Sequence, residues 1–191
     1  MEQARRNNMA LAEKKTETYT TEDIYALPDG ERAELIDGTV YSMAPPSRKH
    51  QHIVGELYRI IANYIKGKNG SCEIYPAPFA VFLNQDNKTY VEPDISVICD
   101  ENKLSDRGCE GAPDWIIEVV SPGSRRMDYY IKLFKYRTAG VKEYWIVDSD
   151  KNRITVYDFK NESGNEYKFE DIVKTGLYED LEIDFKELNL E

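Results

Sequence analysis

A single α/β domain built on a mixed β-sheet is the fold class that this sequence predicts. Apolar runs of strand length, DISVI at 94–98, WIIEVV at 115–120 and YWIV at 144–147, alternate with two segments whose apolar residues recur at helical spacing. The pair Asp37-Gly38 and the Asp-rich stretch DSDKN at 148–152 are hairpin signals, which add antiparallel pairs. No repeat and no linker divides the 191 residues, a length that one core can serve.

Bulk properties narrow the class. Hydrophobic residues at 41% and charged residues at 31% describe a soluble globular chain rather than a disordered one. No apolar run approaches the roughly 20 residues that span a bilayer, so no membrane role is expected. The N-terminal stretch MEQARRNNMALAEKK has neither an apolar core nor a cleavage site and is not a secretory signal, and a cytoplasmic location is expected. Cys72, Cys99 and Cys109 lack metal-ligand spacing and cannot all pair, so the expectation is three reduced thiols in a cytosolic protein. The net charge of −10 works against a nucleic-acid binder, because phosphate contacts need Lys and Arg. An acidic metal cluster and a locally basic face can nevertheless coexist with a negative total.

Residues 1–17 are polar, charged and aperiodic and are expected to be poorly ordered, leaving 18–191 as the domain. Thr20 or Thr21 is an N-cap for a short helix in TTEDIYAL, with acidic residues in the first turn and Pro28 beyond its end. RAELIDGTVYSMAP reads as a hairpin with Glu34 in its first strand, either an exposed edge carboxylate, which the pattern alone favours, or a third acidic ligand. Ser47 can cap a helix over 48–66, whose core-facing stripe is Ile53, Leu57, Ile60, Ile61, Tyr64 and Ile65 and which GKNG closes. His50 and His52, two apart in its first turn, do not share a face; both read as surface or capping residues, and His50 is the one expected near a substrate. Strand-like pieces follow at CEIYPAPF, AVFL and TYVEPDISVI, where Pro76, Pro78 and Pro93 mark edges, bends or strand starts.

Residues 100–111 read as a polar loop. After WIIEVV, Ser121-Pro122 ends the strand and Gly123-Ser124 turns into a helix over 125–139, with Met127, Tyr130, Ile131 and Phe134 as its buried face and Gly140 as its C-cap. VKEYWIVDSDKNRITVYDF is a hairpin whose run YWIV predicts a central strand. The remainder, 164–191, holds one or two short strands and an acidic last turn.

Two carboxylates break the apolar pattern. Asp94 opens one buried strand and Glu118 lies inside another, where an unpaired ion costs on the order of several kcal/mol. A metal is one partner that would stabilise them; backbone N–H groups or an arginine are others. Alternation puts Ile116, Glu118 and Val120 on one face of their strand, and if Asp94 begins the neighbouring strand the two carboxylates converge near the sheet rim. Such an oxygen cluster suits Mg²⁺ or Mn²⁺, which can activate water and neutralise charge on a phosphoryl group. Lys132 is the candidate ammonium, against an ordinary i, i+4 surface pair with Asp128 worth about 0.2–0.5 kcal/mol. Arg125 and Arg126 are poorly placed for the helix dipole, which a facing phosphate would explain and solvent exposure explains almost as well.

AELIDGTVYSMAPPSRKHQ, VEPDISVI and GAPDWIIEVVSPGSRRMDYYIKLFKYRTAGVKEYWIVD, in this order and spacing, resemble the Uma-type family of restriction-endonuclease-like proteins within the PD-(D/E)XK nuclease superfamily. The resemblance implies a restriction-endonuclease-like fold, a mixed sheet flanked by helices, and Mg²⁺-dependent hydrolysis of phosphodiester bonds. Pro93-Asp94 matches the PD element, which makes Asp94 a metal ligand, and Glu118 matches the second acidic ligand. The superfamily pattern places a lysine where this chain has Val120, and Lys132 is the matching position on the following helix. Glu34 matches an acidic residue before the IDG hairpin and would complete the site. DNA is then the expected partner, and cleavage of both strands would favour a symmetric homodimer. The competing expectations are a non-catalytic nucleic-acid-binding or interaction module on the same fold and a metal-dependent phosphoesterase acting on another substrate.

Overall fold

A computed structural model describes residues 18–84 and 86–188 of the chain, so the expectation of a poorly ordered tail over 1–17 lies outside the described residues. Thr20 caps the short helix α1 (Thr21–Tyr25), where the Asp23 carboxylate accepts from the Thr20 backbone N–H at 2.8 Å. Strands β1 (Ala33–Ile36) and β2 (Thr39–Ser42) form the hairpin, turned by Asp37 and Gly38, both at positive φ. That backbone is the two-residue turn that matches strand twist, and it is why Asp-Gly stands there. Ser47 Oγ accepts from His50 N at 3.2 Å and starts the 20-residue helix α2 (Arg48–Gly67), whose Ile53, Leu57, Ile61 and Ile65 are buried as their spacing predicts.

Next come β3 (Glu73–Pro76), β4 (Val81–Phe82) and β5 (Ile95–Ile98). The segment over 100–111 is not a plain loop: it holds a 3-10 turn at Glu101–Lys103 and the short strands β6 (Leu104–Ser105) and β7 (Gly108–Glu110), which join β4 in a small three-stranded sheet. Strand β8 (Trp115–Val119) is followed by a π-helical segment, Met127–Lys132, that runs into helix α3 (Leu133–Ala139). Gly140 at φ 95° ends that helix, as expected of a left-handed C-cap. Then follow β9 (Glu143–Asp148), β10 (Arg153–Asp158), β11 (Ser163–Tyr167), β12 (Ile172–Lys174), β13 (Glu182–Asp184) and a 3-10 turn at Phe185–Leu188. The last stretch therefore holds three strands, β11, β12 and β13, where its sequence suggested one or two.

Six strands form the main sheet in the order β11-β10-β9-β8-β5-β3, with β8–β9 parallel and the other pairs antiparallel. The π/α helix is the crossover that a parallel pair requires, and YWIV in β9 is central, as its apolar run predicts. Alternation along β8 then decides which helix each residue meets. Trp115, Ile117 and Val119 join Ile53, Leu57, Ile61 and Ile65 of α2 on one face, with Trp115 and Trp145 edge to face at 5.0 Å. Ile116 and Val120 pack on the other face with Tyr136 of α3 and Tyr144. Glu118, in phase with Ile116 and Val120, therefore points toward the π/α helix.

Two expectations are corrected. Tyr130 and Phe134 do not belong to the buried face of helix 125–139; they are 72% and 62% exposed, while Asp128, Lys132 and Tyr136 are buried. The π segment has more residues per turn than an α-helix, so the i, i+3, i+4, i+7 pattern drifts off the core. Cys72 and Cys99 are joined in a disulfide, and only Cys109 is a free, buried thiol. The β3–β5 register pairs Glu73 with Ile98, which sets Cys72 against Cys99 one step further along. No helix among the described residues is long and apolar enough to cross a membrane.

Candidate active site

Strand register assembles the acidic pair. Ile95 is paired with Ile117, so the next antiparallel step sets Asp94 opposite Glu118. Asp94 donates its backbone N–H to Glu118 Oε2 at 3.4 Å, and Val119 N–H donates to Asp94 Oδ2 at 2.8 Å. Glu34 comes from β1, which is held to the segment preceding β5 by reciprocal backbone bonds between Leu35 and Tyr90. Its Oε1 accepts from Glu92 N–H at 3.0 Å. The Glu92 side chain turns away, accepting from Tyr90 Oη at 2.6 Å and pairing with Arg32.

Lys132 reaches this cluster from the helix. Its Nζ lies 2.8 Å from Glu34 Oε1 and 2.9 Å from Glu118 Oε1, and all three side chains are about 5% exposed. Burial alone would pull the Lys132 pKa down, but the carboxylates of Glu118, Glu34 and Asp128 outweigh it and hold the pKa well above the ordinary lysine value. The group is an ammonium throughout the neutral range. Val120, where the superfamily pattern has its lysine, is buried against the same helix.

Three further residues complete the surroundings. Tyr136, four residues past Lys132, donates its hydroxyl to Glu118 Oε1 at 2.7 Å. Asp128, four residues before it, is buried rather than part of a surface pair. His50 swings in from the start of α2, with Nε2 3.2 Å from Asp94 Oδ2. Burial opposes the charge on His50, but Asp94 and Gln51 outweigh it and raise the His50 pKa. Asp128 and Tyr136 were missed in the sequence, where Asp128, Lys132 and Tyr136 at i, i+4 and i+8 form a polar stripe that apolar counting passes over.

The cluster carries more negative charge than its cations balance. Burial lifts the Glu118 pKa to about 8; Lys132 opposes the shift and Asp94, Asp128 and Glu34 add to it. Burial likewise raises Asp128 to about 6, against Lys132 and the Ser124 hydroxyl and with Glu34 and Asp94. Among the described residues no group of three His, Cys, Asp or Glu side chains is placed to share one metal ion. Lys132 sits between Glu34 and Glu118, so Glu34 faces an ammonium rather than a cation shared with Asp94 and Glu118. The pair Asp94 and Glu118 still fits a hard divalent ion, which is commonly held by one or two carboxylates with waters and substrate oxygens, and the surplus charge favours one.

Arg125 is engaged elsewhere, with Nε 3.0 Å from Asp148 Oδ2 and Nη2 3.1 Å from Asp148 Oδ1, so it is not the free phosphate contact suggested by its position. The bidentate fork satisfies the fully buried Asp148 carboxylate. Arg126 is exposed, with no ion pair among the described residues.

Comparisons with known proteins show the family and the fold. "Uncharacterized protein slr1290" of Synechocystis sp. is 30% identical over 137 residues, which cover 71% of this chain and 70% of that protein. The crystal structure described as "a putative nuclease belonging to DUF820" from Anabaena variabilis matches with a TM-score of 0.71, covering 88% of this chain and 96% of that one at 21% identity, a likeness of fold. A family model described as "Putative restriction endonuclease" matches residues 21–190, and the chain belongs to that family, Uma2.

Proposed function

We propose that this protein is a metal-dependent endonuclease that hydrolyses phosphodiester bonds of DNA, with Asp94 and Glu118 as the ligands of a Mg²⁺ or Mn²⁺ ion. The observation that carries the reading is the buried Lys132 ammonium, hydrogen-bonded to Glu34 and Glu118 beside Asp94. A divalent ion bound there would lower the pKa of a water and draw charge from the phosphoryl oxygens. Lysine has three N–H donors. Two are committed to Glu34 and Glu118, and the third is free for the attacking water or a phosphoryl oxygen, where a fixed ammonium stabilises developing charge. Glu34 is then a positioning residue for Lys132, and Tyr136 fixes the rotamer of Glu118. Val119 N–H and His50 hold Asp94 Oδ2. His50 and Asp94, at 10% and 18% side-chain exposure against about 5% for Lys132 and Glu118, form the more open rim from which a phosphate would enter.

The test is incubation with plasmid and short duplex DNA in the presence of Mg²⁺ or Mn²⁺. Asp94→Ala is expected to lower the cleavage rate by about a thousandfold. Cleavage that persists at the same rate in Asp94→Ala overturns the assignment. The net charge of −10 favours a second reading, a non-catalytic interaction module on this fold. Absence of cleavage of any nucleic acid, with no heat of metal binding by calorimetry, would select it.

A further inference from the structure

The helix that delivers Lys132 inward carries a second feature on its solvent face. Tyr130 and Phe134, four residues apart, are the most exposed large apolar side chains among the described residues. They border a groove of about 420 Å³ between the helix and the β10–β11 hairpin, walled on the far side by Tyr157 and Phe159. Three charged side chains also line it, Arg137 from the helix and Asp158 and Glu162 from the hairpin, and Asp158 is engaged within the hairpin, accepting from Asn161 N–H at 3.0 Å and from Asn161 Nδ2 at 2.6 Å. Arg137 and Glu162 are exposed, and neither makes an ion pair among the described residues. Beside the groove, β11 is the end strand of the main sheet, with four of its five residues exposed and one backbone edge open.

We propose that this face binds a second copy of the chain in a two-fold dimer. A two-fold interface uses one patch twice, so the patch must supply both halves of every contact. This one does. It has protruding rings in Tyr130 and Phe134 and a recess to receive them. It has an unpaired cation and an unpaired anion on opposite walls, so Arg137 would meet Glu162 of the partner subunit, and Glu162 would meet Arg137 of the partner subunit. A partner of one charge sign would leave one of the two unmatched. The proposal is independent of the nuclease reading, because its readout is mass rather than cleavage.

Sedimentation velocity of the full chain from about 1 to about 100 µM is the experiment, with a dimer expected within that range. Phe134→Glu is expected to raise the dimer dissociation constant about a hundredfold, and Arg137→Glu about tenfold. The double change Arg137→Glu with Glu162→Arg should restore association to within about threefold of the parent. All three positions are exposed, so the thermal unfolding of each variant should match the parent. A monomer at every concentration leaves the groove to some other protein and overturns the proposal. So do a dimer unaffected by Phe134→Glu and a charge exchange that fails to restore association.

Discussion

Lys132→Met is expected to reduce DNA cleavage by about a thousandfold and to destabilise the fold by about 3–5 kcal/mol at pH 8, the first from the lost donor and the second from leaving buried carboxylates without their cation. Methionine keeps much of the length and none of the charge, so packing changes little and the effect isolates the ammonium. Lys132→Arg should not rescue, because a planar guanidinium cannot stand between Glu34 and Glu118 where Nζ lies 2.8 and 2.9 Å from their oxygens. Stability and chemistry separate in the double variant Lys132→Met with Glu34→Gln. Removing both partners of a buried pair costs far less than removing one, so stability should largely recover while cleavage stays lost. Urea unfolding and cleavage assays on the single and double variants check both halves. A Lys132→Met protein that cleaves at the parental rate would end the role given to this residue.

The acid–base behaviour of Glu118 gives the second large effect. Its folded pKa of about 8 lies above the ordinary value of 4.5. Below pH 4.5 the carboxyl is protonated in both states, and its contribution to stability is fully present. Between pH 4.5 and about 8 the unfolded chain has released a proton that the folded chain retains, so stability falls as pH rises. Above about 8 the loss is complete, on the order of a few kcal/mol. Asp128, raised to about 6, acts in the same direction over the lower part of that window. Lys132 does not offset the slope, because its raised pKa moves its own titration above the ordinary lysine range. In chelator-treated protein the melting temperature should therefore decline from pH 5 toward pH 8, and Glu118→Gln should flatten the decline and be the more stable protein at about pH 9. Added Mg²⁺ should raise the melting temperature of the parent at pH 8 and leave Glu118→Gln unmoved. Parallel pH profiles for the two proteins would remove Glu118 as the titrating group.

The centre of the sheet was readable because β5, β8 and β9 are buried on both faces. WIIEVV and YWIV show as near-continuous apolar runs, and the phase of Ile116, Glu118 and Val120 follows from alternation alone. Helix α2 was readable for a similar reason, since its stripe contains no polar intruder. Helix 125–139 was not. Its buried side is Asp128, Lys132 and Tyr136, groups that become core residues only by satisfying one another, while its apolar Tyr130 and Phe134 face outward. Hydropathy weighs each side chain singly and cannot see that mutual neutralisation. The Cys72–Cys99 bond was hidden because it depends on the register of two strands 27 residues apart. The same holds for His50, whose approach to Asp94 is set by how α2 lies across β8 rather than by its neighbours in the chain.

The π-helical segment fixes something subtler than the shape of one turn. Lys132 stands 14 positions after Glu118, and the wide turn is part of that count. Deleting one residue while the wide turn is kept would turn everything beyond it by about 100° around the axis. Lys132 would then leave the carboxylates and Tyr136 would leave Glu118 together. Length in this stretch acts as a ruler, so exposed positions such as Arg126 should tolerate changes of type better than the stretch tolerates changes of number.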